Sequence, residues 1–235
     1  MHFRKGWEGM ENLTEKFVKE IERRILTGQW EVGMKLPSTR ALAEEFYVSR
    51  SVISVGIAQL CRNGYLQTVP RGYVYVSDWK KTGNFSLVDS LLDSDLCNAQ
   101  IIENLLEGRM TLEKAIVKKA ATTHMDEDLE HLRLVIEDEQ QCTTAEEKAL
   151  ADEAFHHAIV SASHNIVYTA MFNSFSTVIE RLTRQFYHHD VDHDYVIRMH
   201  QKIYEAIKES NPALAEECME LLLAHGEAEL KRIGL

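Results

Sequence analysis

The sequence predicts a mainly α-helical protein in two parts. The first part has three helices and a β-hairpin, and the second is an all-α bundle of six or seven helices. Apolar residues recur at helical spacing over most of the 235 residues, 45% of which are hydrophobic. Strand-like alternation is confined to residues 65–76. Polar residues and glycine gather at 77–84, which indicates a domain boundary there.

The first predicted helix ends before Gly28. A capping box is possible from Asn12 to Glu15 at its start. Its apolar face has a residue at every fourth position: Leu13, Phe17, Ile21 and Ile25.

Two shorter helices are predicted around a tight turn. Ser38 can cap the first and Ser49 the second, which ends at Asn63-Gly64. Because the turn is only residues 47–48, the helices meet at a steep angle. The second helix then begins with outward polar residues: Ser49, Arg50, Ser51 and Ser54. A helix of this kind enters the major groove of DNA by that end.

A β-hairpin follows the third helix. Two β-branched and aromatic runs, 65–69 and 73–76, are separated by Pro70-Arg71-Gly72, which predicts a hairpin with a basic tip. Three helices followed by such a hairpin make a winged helix-turn-helix. The alternative is a helix-turn-helix used only for protein contact.

The distribution of charge favours the DNA-binding interpretation. Residues 1–79 contain 11 Lys and Arg against 9 Asp and Glu, a net charge of +2, whereas residues 80–235 contain 15 against 28, a net charge of −13. The positive balance therefore lies in the part with the predicted reading helix. A chain with a total charge of −11 is not a non-specific DNA coat.

Residues 13–76 resemble the N-terminal domain of GntR-family transcription regulators. The resemblance rests on Gly33-x-x-Leu36-Pro37-Ser38-x-Arg40 and on Val48-Ser49-Arg50. It implies operator contacts from both arginines and a wing that reaches the minor groove. The predicted DNA-binding residues are Ser38, Thr39, Arg40, Ser49, Arg50, Ser51, Ser54, Arg71 and Gly72. The family often has Arg where this chain has Ser54 and Gly where it has Tyr47, so the family's common operator sequence is not carried over.

The predicted domains are a winged helix-turn-helix at 1–78, a linker with a connecting helix at 79–95, and a helical domain at 96–235. Helices after the boundary are expected at 86–93, 98–123, 126–141, 144–163, 165–188, 194–209 and 211–233.

The sequence has no stretch typical of a membrane span or a secretory signal, and its cysteines show no metal-binding or disulfide pattern. No segment approaches the ~20 apolar residues of a membrane span, and the charged start has no secretory apolar stretch. A cytoplasmic location without membrane contact is therefore expected. The cysteines form no CxxC pair and are expected to be buried or inert thiols: Cys61, Cys97, Cys142 and Cys218.

Four polar residues lie on predicted inward faces of the bundle. Asp152 and His156 are four residues apart, so both project from one face of a helix. His200 and Arg109 each share a stripe with apolar residues. One interpretation gathers all four around a metal and a carboxylate ligand. Taken singly, each also fits an ordinary role: a core histidine, a surface Asp–His contact or an Arg109–Glu113 ion pair.

Residues 95–233 resemble the FCD ligand-sensing domain that accompanies this winged helix in the FadR subfamily. The motifs are Arg109-x-x-x-Glu113, Asp152-x-x-Phe155-His156-x-x-Ile159-x-x-Ala162-Ser163-x-Asn165 and His200-x-x-Ile203. The resemblance implies zinc or nickel bound by Asp152, His156 and His200, and a carboxylate effector bound at Arg109 and Asn165. Leu222 stands where metal-containing members have a last histidine, and His225, one turn beyond, is a candidate substitute.

These features predict a homodimeric transcription regulator, expected to be a repressor, whose operator binding is controlled by a small organic or sugar acid. Two winged domains would read the half-sites of a near-palindromic operator. The alternatives are a metal-free sensor of a bulkier acyl ligand, a metal-dependent hydrolase and an architectural DNA-binding protein. Against the hydrolase, the sequence has no nucleophile elbow, phosphate loop or HExxH pattern.

Overall fold

The computed structural model of the protein describes residues 13–70, 72–92, 98–189 and 191–234. The chain forms two compact units, Met1–Cys97 and Asn98–Leu235. Asn12 of the expected capping box, Arg71 of the hairpin tip and Cys97 lie outside the described residues.

The first unit is a winged helix-turn-helix, so this part of the predicted fold is confirmed. Its elements follow in the order α1 Leu13–Leu26, α2 Thr39–Glu45, α3 Arg50–Arg62, β1 Leu66–Val69, β2 Tyr73–Val76, α4 Trp79–Thr82 and α5 Ser86–Leu92. The Ser38 hydroxyl accepts a hydrogen bond from the Ala41 amide at 3.1 Å, and the Ser49 hydroxyl accepts one from the Val52 amide at 3.3 Å. Both caps lie where the sequence predicts them.

The core of the first unit lies where α1 packs against α3. The largest fully buried side chains here are Phe17, Ile21, Leu42, Ile53, Leu60 and Tyr65. Gly56 allows the close approach of the two helices, because a Cβ atom at this position would overlap the ring of Phe17. The strands pair in an antiparallel hairpin, from Leu66 opposite Val76 to Val69 opposite Tyr73.

The turn before α3 is tight because one residue takes a left-handed conformation. Tyr47 has φ 55°, and the amide of Val48 donates to the carbonyl of Ala43 at 3.1 Å. This bonding closes the C-terminus of α2 in the way that glycine usually does. The Tyr47 side chain is 95% exposed.

The segment predicted as a linker at 79–95 is described as far as residue 92, and that part is helical and belongs to the first unit. Leu87 and Leu91 pack against the hydrophobic core of that unit. The Thr82 hydroxyl donates to the Gly64 carbonyl at 2.7 Å. The two compact units divide between residues 97 and 98 instead, because these apolar contacts hold α4 and α5 to the winged domain.

The second unit is an all-α bundle. Its described part contains six helices: α6 Ala99–Thr123, α7 Asp126–Glu139, α8 Ala145–Ala162, α9 Ile166–Tyr187, α10 His193–Lys208 and α11 Pro212–Arg232. The predicted spans agree with these bounds to within two residues. Helix α8 packs against α6, α7 and α9, and α10 packs against α6, α7 and α11. Among the helices that the structure describes, none has a stretch long and apolar enough to span a membrane.

Candidate functional site

The predicted DNA-reading residues lie at the surface of the first unit. Ser38, Arg40, Ser49, Arg50, Ser51, Ser54 and Gly72 are exposed, and Thr39 is half-buried. The Ser49 and Ser51 hydroxyls share a hydrogen bond of 2.7 Å, and Arg40 Nε donates to Glu44 Oε1 at 2.9 Å. Arg71 lies outside the part of the chain that the structure describes. Hydroxyl and guanidinium groups at the start of an exposed helix are suited to contact bases and phosphates.

The second unit brings the predicted metal ligands together. Asp152 and His156 lie one turn apart on α8, and His200 lies on α10. All three are buried, His200 completely. One ligand atom from each residue lies within 4.8 Å of the other two. Helices α8 and α10 both pack against α6 and α7, and this arrangement brings the three side chains together.

The two imidazoles present the same nitrogen to Asp152. His156 Nε2 is 3.9 Å from Asp152 Oδ2, and His200 Nε2 is 3.8 Å from Asp152 Oδ1. The Nε2 atom of His200 is buried and has no hydrogen-bond partner among the described residues. The Phe155 ring stacks on the His200 ring with the centroids 3.7 Å apart, which fixes the plane of the imidazole.

The opposite nitrogen of each imidazole is held by a buried glutamate. His156 Nδ1 donates to Glu113 Oε2. His200 Nδ1 donates to Glu139 Oε2 at 2.7 Å. Glu113 is 3% exposed and Glu139 is 0% exposed. With the proton on Nδ1, each imidazole turns the lone pair of Nε2 towards Asp152.

Arg109 lies on α6, one turn before Glu113, and its side chain is 14% exposed. Its Nε atom donates to Glu113 Oε1 at 2.5 Å, and its Nη2 atom donates to His156 Nε2 at 3.3 Å. Burial alone would raise the pKa of the Glu113 carboxyl, but its interactions with His156 and Arg109 lower that pKa to about 2. The Glu113 carboxylate is therefore ionised and shared between the guanidinium and the imidazole.

Helix α9 contributes a hydrogen-bond donor to the cluster. The Tyr187 hydroxyl donates to Asp152 Oδ1 at 3.2 Å. Burial, and then the neighbouring Asp152, raises the pKa of Tyr187 well above its usual value. The hydroxyl therefore keeps its proton and orients the Asp152 carboxylate.

The buried charges around the cluster do not balance. Among the described residues, the carboxyl groups of Glu113, Glu139 and Asp152 contact one guanidinium, that of Arg109, and three imidazoles, those of His156, His200 and His193. With neutral imidazoles and ionised carboxyl groups, the site has two excess negative charges. Buried charge without a counter-charge is unfavourable, so such a site favours a cation.

Two cavities adjoin the cluster. The larger has an empty volume of ≈ 590 Å³, part of it open to solvent, and the smaller has ≈ 420 Å³. Both are lined by Arg109, Asp152, His156 and Thr183. Apolar side chains form most of the wall of the larger cavity: Leu106, Met110, Leu182, Phe186, Val196, Leu222, Leu223 and Leu230. Its mostly apolar lining with a few polar groups is typical of a site for a small organic ligand.

Three other residues considered in the sequence analysis lie outside the cluster: Leu222, His225 and Asn165. Leu222 lies in the wall of the larger cavity, as does His225, but His225 is outside the group of ligand atoms that lie within 4.8 Å of one another. Asn165 lines neither cavity. Its side-chain oxygen accepts from the amides of Val167 and Tyr168 and caps α9, and its effector contact stays a prediction.

Sequence reasoning missed two members of the cluster, Glu139 and Tyr187. Glu139 ends α7 on the same stripe as Leu132 and Ile136, and this inward spacing was a signal that could have identified it. Tyr187 ends α9 next to Phe186, where an apolar stripe gives no indication of a polar role. Glu113 was considered only as a partner of Arg109, and its bond to His156 required the packing of α6 against α8.

Two family models match the sequence. The model for bacterial regulatory proteins of the gntR family matches residues 13–76, and the model for the FCD domain matches residues 104–225, slightly more than half of the chain.

Relatives of this chain are named as regulators. The chain is 29% identical over 219 residues to the Glc operon transcriptional activator of Escherichia coli strain K12, with 87% of this chain and 83% of the relative covered. It is 27% identical over 207 residues to the HTH-type transcriptional regulator LutR of Bacillus subtilis strain 168, with 86% and 92% covered. It is 25% identical over 235 residues to the putative L-lactate dehydrogenase operon regulatory protein of E. coli strain K12, with 94% and 87% covered.

The fold also matches a solved structure. Lar of Listeria monocytogenes superposes with a TM-score of 0.62 over 96% of this chain and 100% of that chain, at 18% identity. The two proteins therefore share a fold.

Proposed function

This chain belongs to the FCD-containing regulators of the GntR family, and we propose from that membership that a small carboxylate metabolite, bound beside a divalent metal, controls its binding to operator DNA. The chain is a DNA-binding transcriptional regulator and not an enzyme. The direction of control that we propose is repression, relieved when the acid binds.

The metal proposal rests on the orientation of two histidines. His156 and His200 each donate from Nδ1 to a buried glutamate and turn Nε2 towards Asp152. Metal-binding histidines in proteins are commonly held in this way by a carboxylate on the far nitrogen. An oxygen and two nitrogen ligands suit zinc or nickel, with positions left for water or an effector.

The charge of the site supports the same proposal. A divalent cation would neutralise the two excess negative charges of Glu113, Glu139 and Asp152 against Arg109. The residues of this site therefore fit a divalent metal.

The proposed effector site is the larger cavity at Arg109. When bound, the metal would supply a Lewis-acidic anchor for a carboxylate. Arg109 adds a guanidinium that lines both cavities and suits a carboxylate. The E. coli relative named for an L-lactate dehydrogenase operon is in keeping with an organic acid, since L-lactate is a small hydroxy acid.

Control of DNA requires that the acid bind the DNA-competent and DNA-incompetent states with different affinity. We propose that the protein acts as a homodimer whose two winged units read two operator half-sites. Exposed residues at the starts of α2 and α3, including Arg40 and Arg50, would contact the operator.

The second candidate function is a metal-free sensor of a bulkier acyl ligand. Leu222 favours it, because an apolar side chain stands in the cavity wall where metal-containing members of the family have a histidine. The mostly apolar wall would accommodate an acyl chain.

Elemental analysis distinguishes these two functions. Untagged protein purified without chelator should contain close to one zinc or nickel per chain, and His156→Ala and His200→Ala should each lose it. His131→Ala, at an exposed histidine on α7, is the matched control and should keep the metal. Absence of metal from the wild-type protein, including after incubation with zinc or nickel, would contradict the metal proposal and favour the acyl-ligand sensor.

A further inference from the structure

His225 is a half-buried polar residue that the proposed metal site does not use. It lies on α11 and lines the larger cavity. Its Nε2 atom is buried and has no hydrogen-bond partner among the described residues. A buried donor or acceptor without a partner destabilises a folded protein, so such an atom in a cavity wall indicates a ligand that bonds to it.

The His225 ring is held in place by aromatic neighbours. Its centroid is 4.4 Å from that of Tyr195 and 6.3 Å from that of Phe186, with the Phe186 contact edge to face. These ring contacts restrict the orientation of the imidazole but leave Nε2 without a hydrogen bond. The donor is therefore positioned in advance of ligand binding.

The charged groups in the same wall already have partners. Arg109 bonds to Glu113 and His156, and Asp152 accepts from Tyr187. Glu227 pairs with Lys231 at 2.9 Å. His225 also lies outside the cluster of candidate metal ligands, so its partner is a different part of the ligand from the metal-bound carboxylate.

We propose that His225 Nε2 hydrogen-bonds a hydroxyl group of the effector that is separated from the carboxylate by an aliphatic chain, an inference that rests on the proposed function. A hydroxyl can both donate and accept, so it satisfies either tautomer of the imidazole. A second carboxylate is disfavoured, because Glu227 lines the same cavity and would repel it. The leucine, methionine and phenylalanine side chains of the wall would contact the carbon chain.

Matched pairs of acids test this inference by isothermal titration calorimetry on the zinc-loaded full-length protein. The probes are butanoate with 4-hydroxybutanoate, and hexanoate with 6-hydroxyhexanoate. We expect the wild-type protein to bind the hydroxy acid of at least one pair about tenfold more tightly than its unsubstituted partner. His225→Leu should abolish this preference while leaving the affinity for the unsubstituted acid within about twofold.

Two variants separate a binding role from a structural one. His225→Gln keeps a hydrogen-bonding side chain and should restore part of the preference. His225→Leu without ligand should melt at the same temperature as the wild type or higher, because it removes an unpartnered buried atom. His131→Leu, at an exposed position, should leave the preference unchanged.

The outcomes distinguish this inference from the proposed function. If acids bind but neither pair shows a hydroxyl preference, or if the preference survives in His225→Leu, the inference about His225 is wrong and the proposed function stands. If no acid of either chain length, with or without the hydroxyl, binds to the zinc-loaded protein, the inference about His225 is overturned. The proposed function is overturned only if DNA binding also fails to respond to L-lactate and gluconate.

Discussion

The two units of this protein place their functional side chains in opposite surroundings. In the winged unit, Arg50 and Ser54 are exposed at the start of the reading helix, and the Arg40 side chain is 72% exposed. In the helical unit, His156 is 3% exposed and His200 is 0% exposed. The reading surface can therefore change with little effect on folding, whereas the proposed sensor site is also part of the core of its unit.

Two arginine–glutamate ion pairs, one in each unit, test this comparison. Removing the glutamate should change the free energy of unfolding much more in the helical unit than in the winged unit. Arg40–Glu44 in the winged unit and Arg109–Glu113 in the helical unit are both spaced i,i+4. Glu113→Leu should destabilise the protein by about 3 kcal/mol, because it leaves the Arg109 guanidinium buried without its carboxylate.

Glu44→Leu is the matched control and should change stability by less than about 0.5 kcal/mol, since both side chains of the Arg40–Glu44 pair are largely exposed. Urea unfolding of the full chain, followed by circular dichroism, measures both changes. Similar losses in the two variants would break the comparison between an exposed reading surface and a buried sensor site.

Alanine substitution of two helical glycines, one in each unit, should change stability by smaller amounts and with opposite signs. Gly56→Ala in α3 should destabilise the winged unit by about 1–3 kcal/mol, because the added methyl group overlaps the Phe17 ring. Gly226→Ala in α11 meets no atom within 4 Å and should stabilise the protein by about 0.5–1 kcal/mol.

Melting temperatures of the two glycine variants test the packing of each unit independently of any ligand. A rise in melting temperature for Gly56→Ala would mean that α1 and α3 are less tightly packed than described here. A fall for Gly226→Ala would indicate that this part of α11 is in contact with another group.

The same difference in surroundings explains how far the sequence predicts each part. The caps at Ser38 and Ser49 and the hairpin after Gly64 depend on neighbours in sequence, and the structure confirms them. The triad of Asp152, His156 and His200 could also be predicted, because each residue lies on an apolar stripe or one turn from another member.

The supporting residues of the site could not be predicted in the same way. The Glu139–His200 bond joins residues 61 positions apart, and the Tyr187–Asp152 bond joins residues 35 apart, so both depend on how the helices pack. The membership of α4 and α5 in the first unit likewise follows from the contacts of Leu87 and Leu91 with its core. Local spacing can place Glu139 on an inward face, but it gives no information on which residue Glu139 contacts.

The most direct test of the central claim is the affinity of the protein for DNA in the presence of acids, with and without metal. A labelled duplex that the protein itself selects from random sequences can be titrated by fluorescence anisotropy, using zinc-loaded and chelated protein and the probes L-lactate, 4-hydroxybutanoate and gluconate. We predict that at least one acid weakens DNA binding by about tenfold with zinc and has no effect after chelation. The claim would be contradicted if no acid changed the affinity for DNA, or if chelation left the effect of an acid on that affinity unchanged.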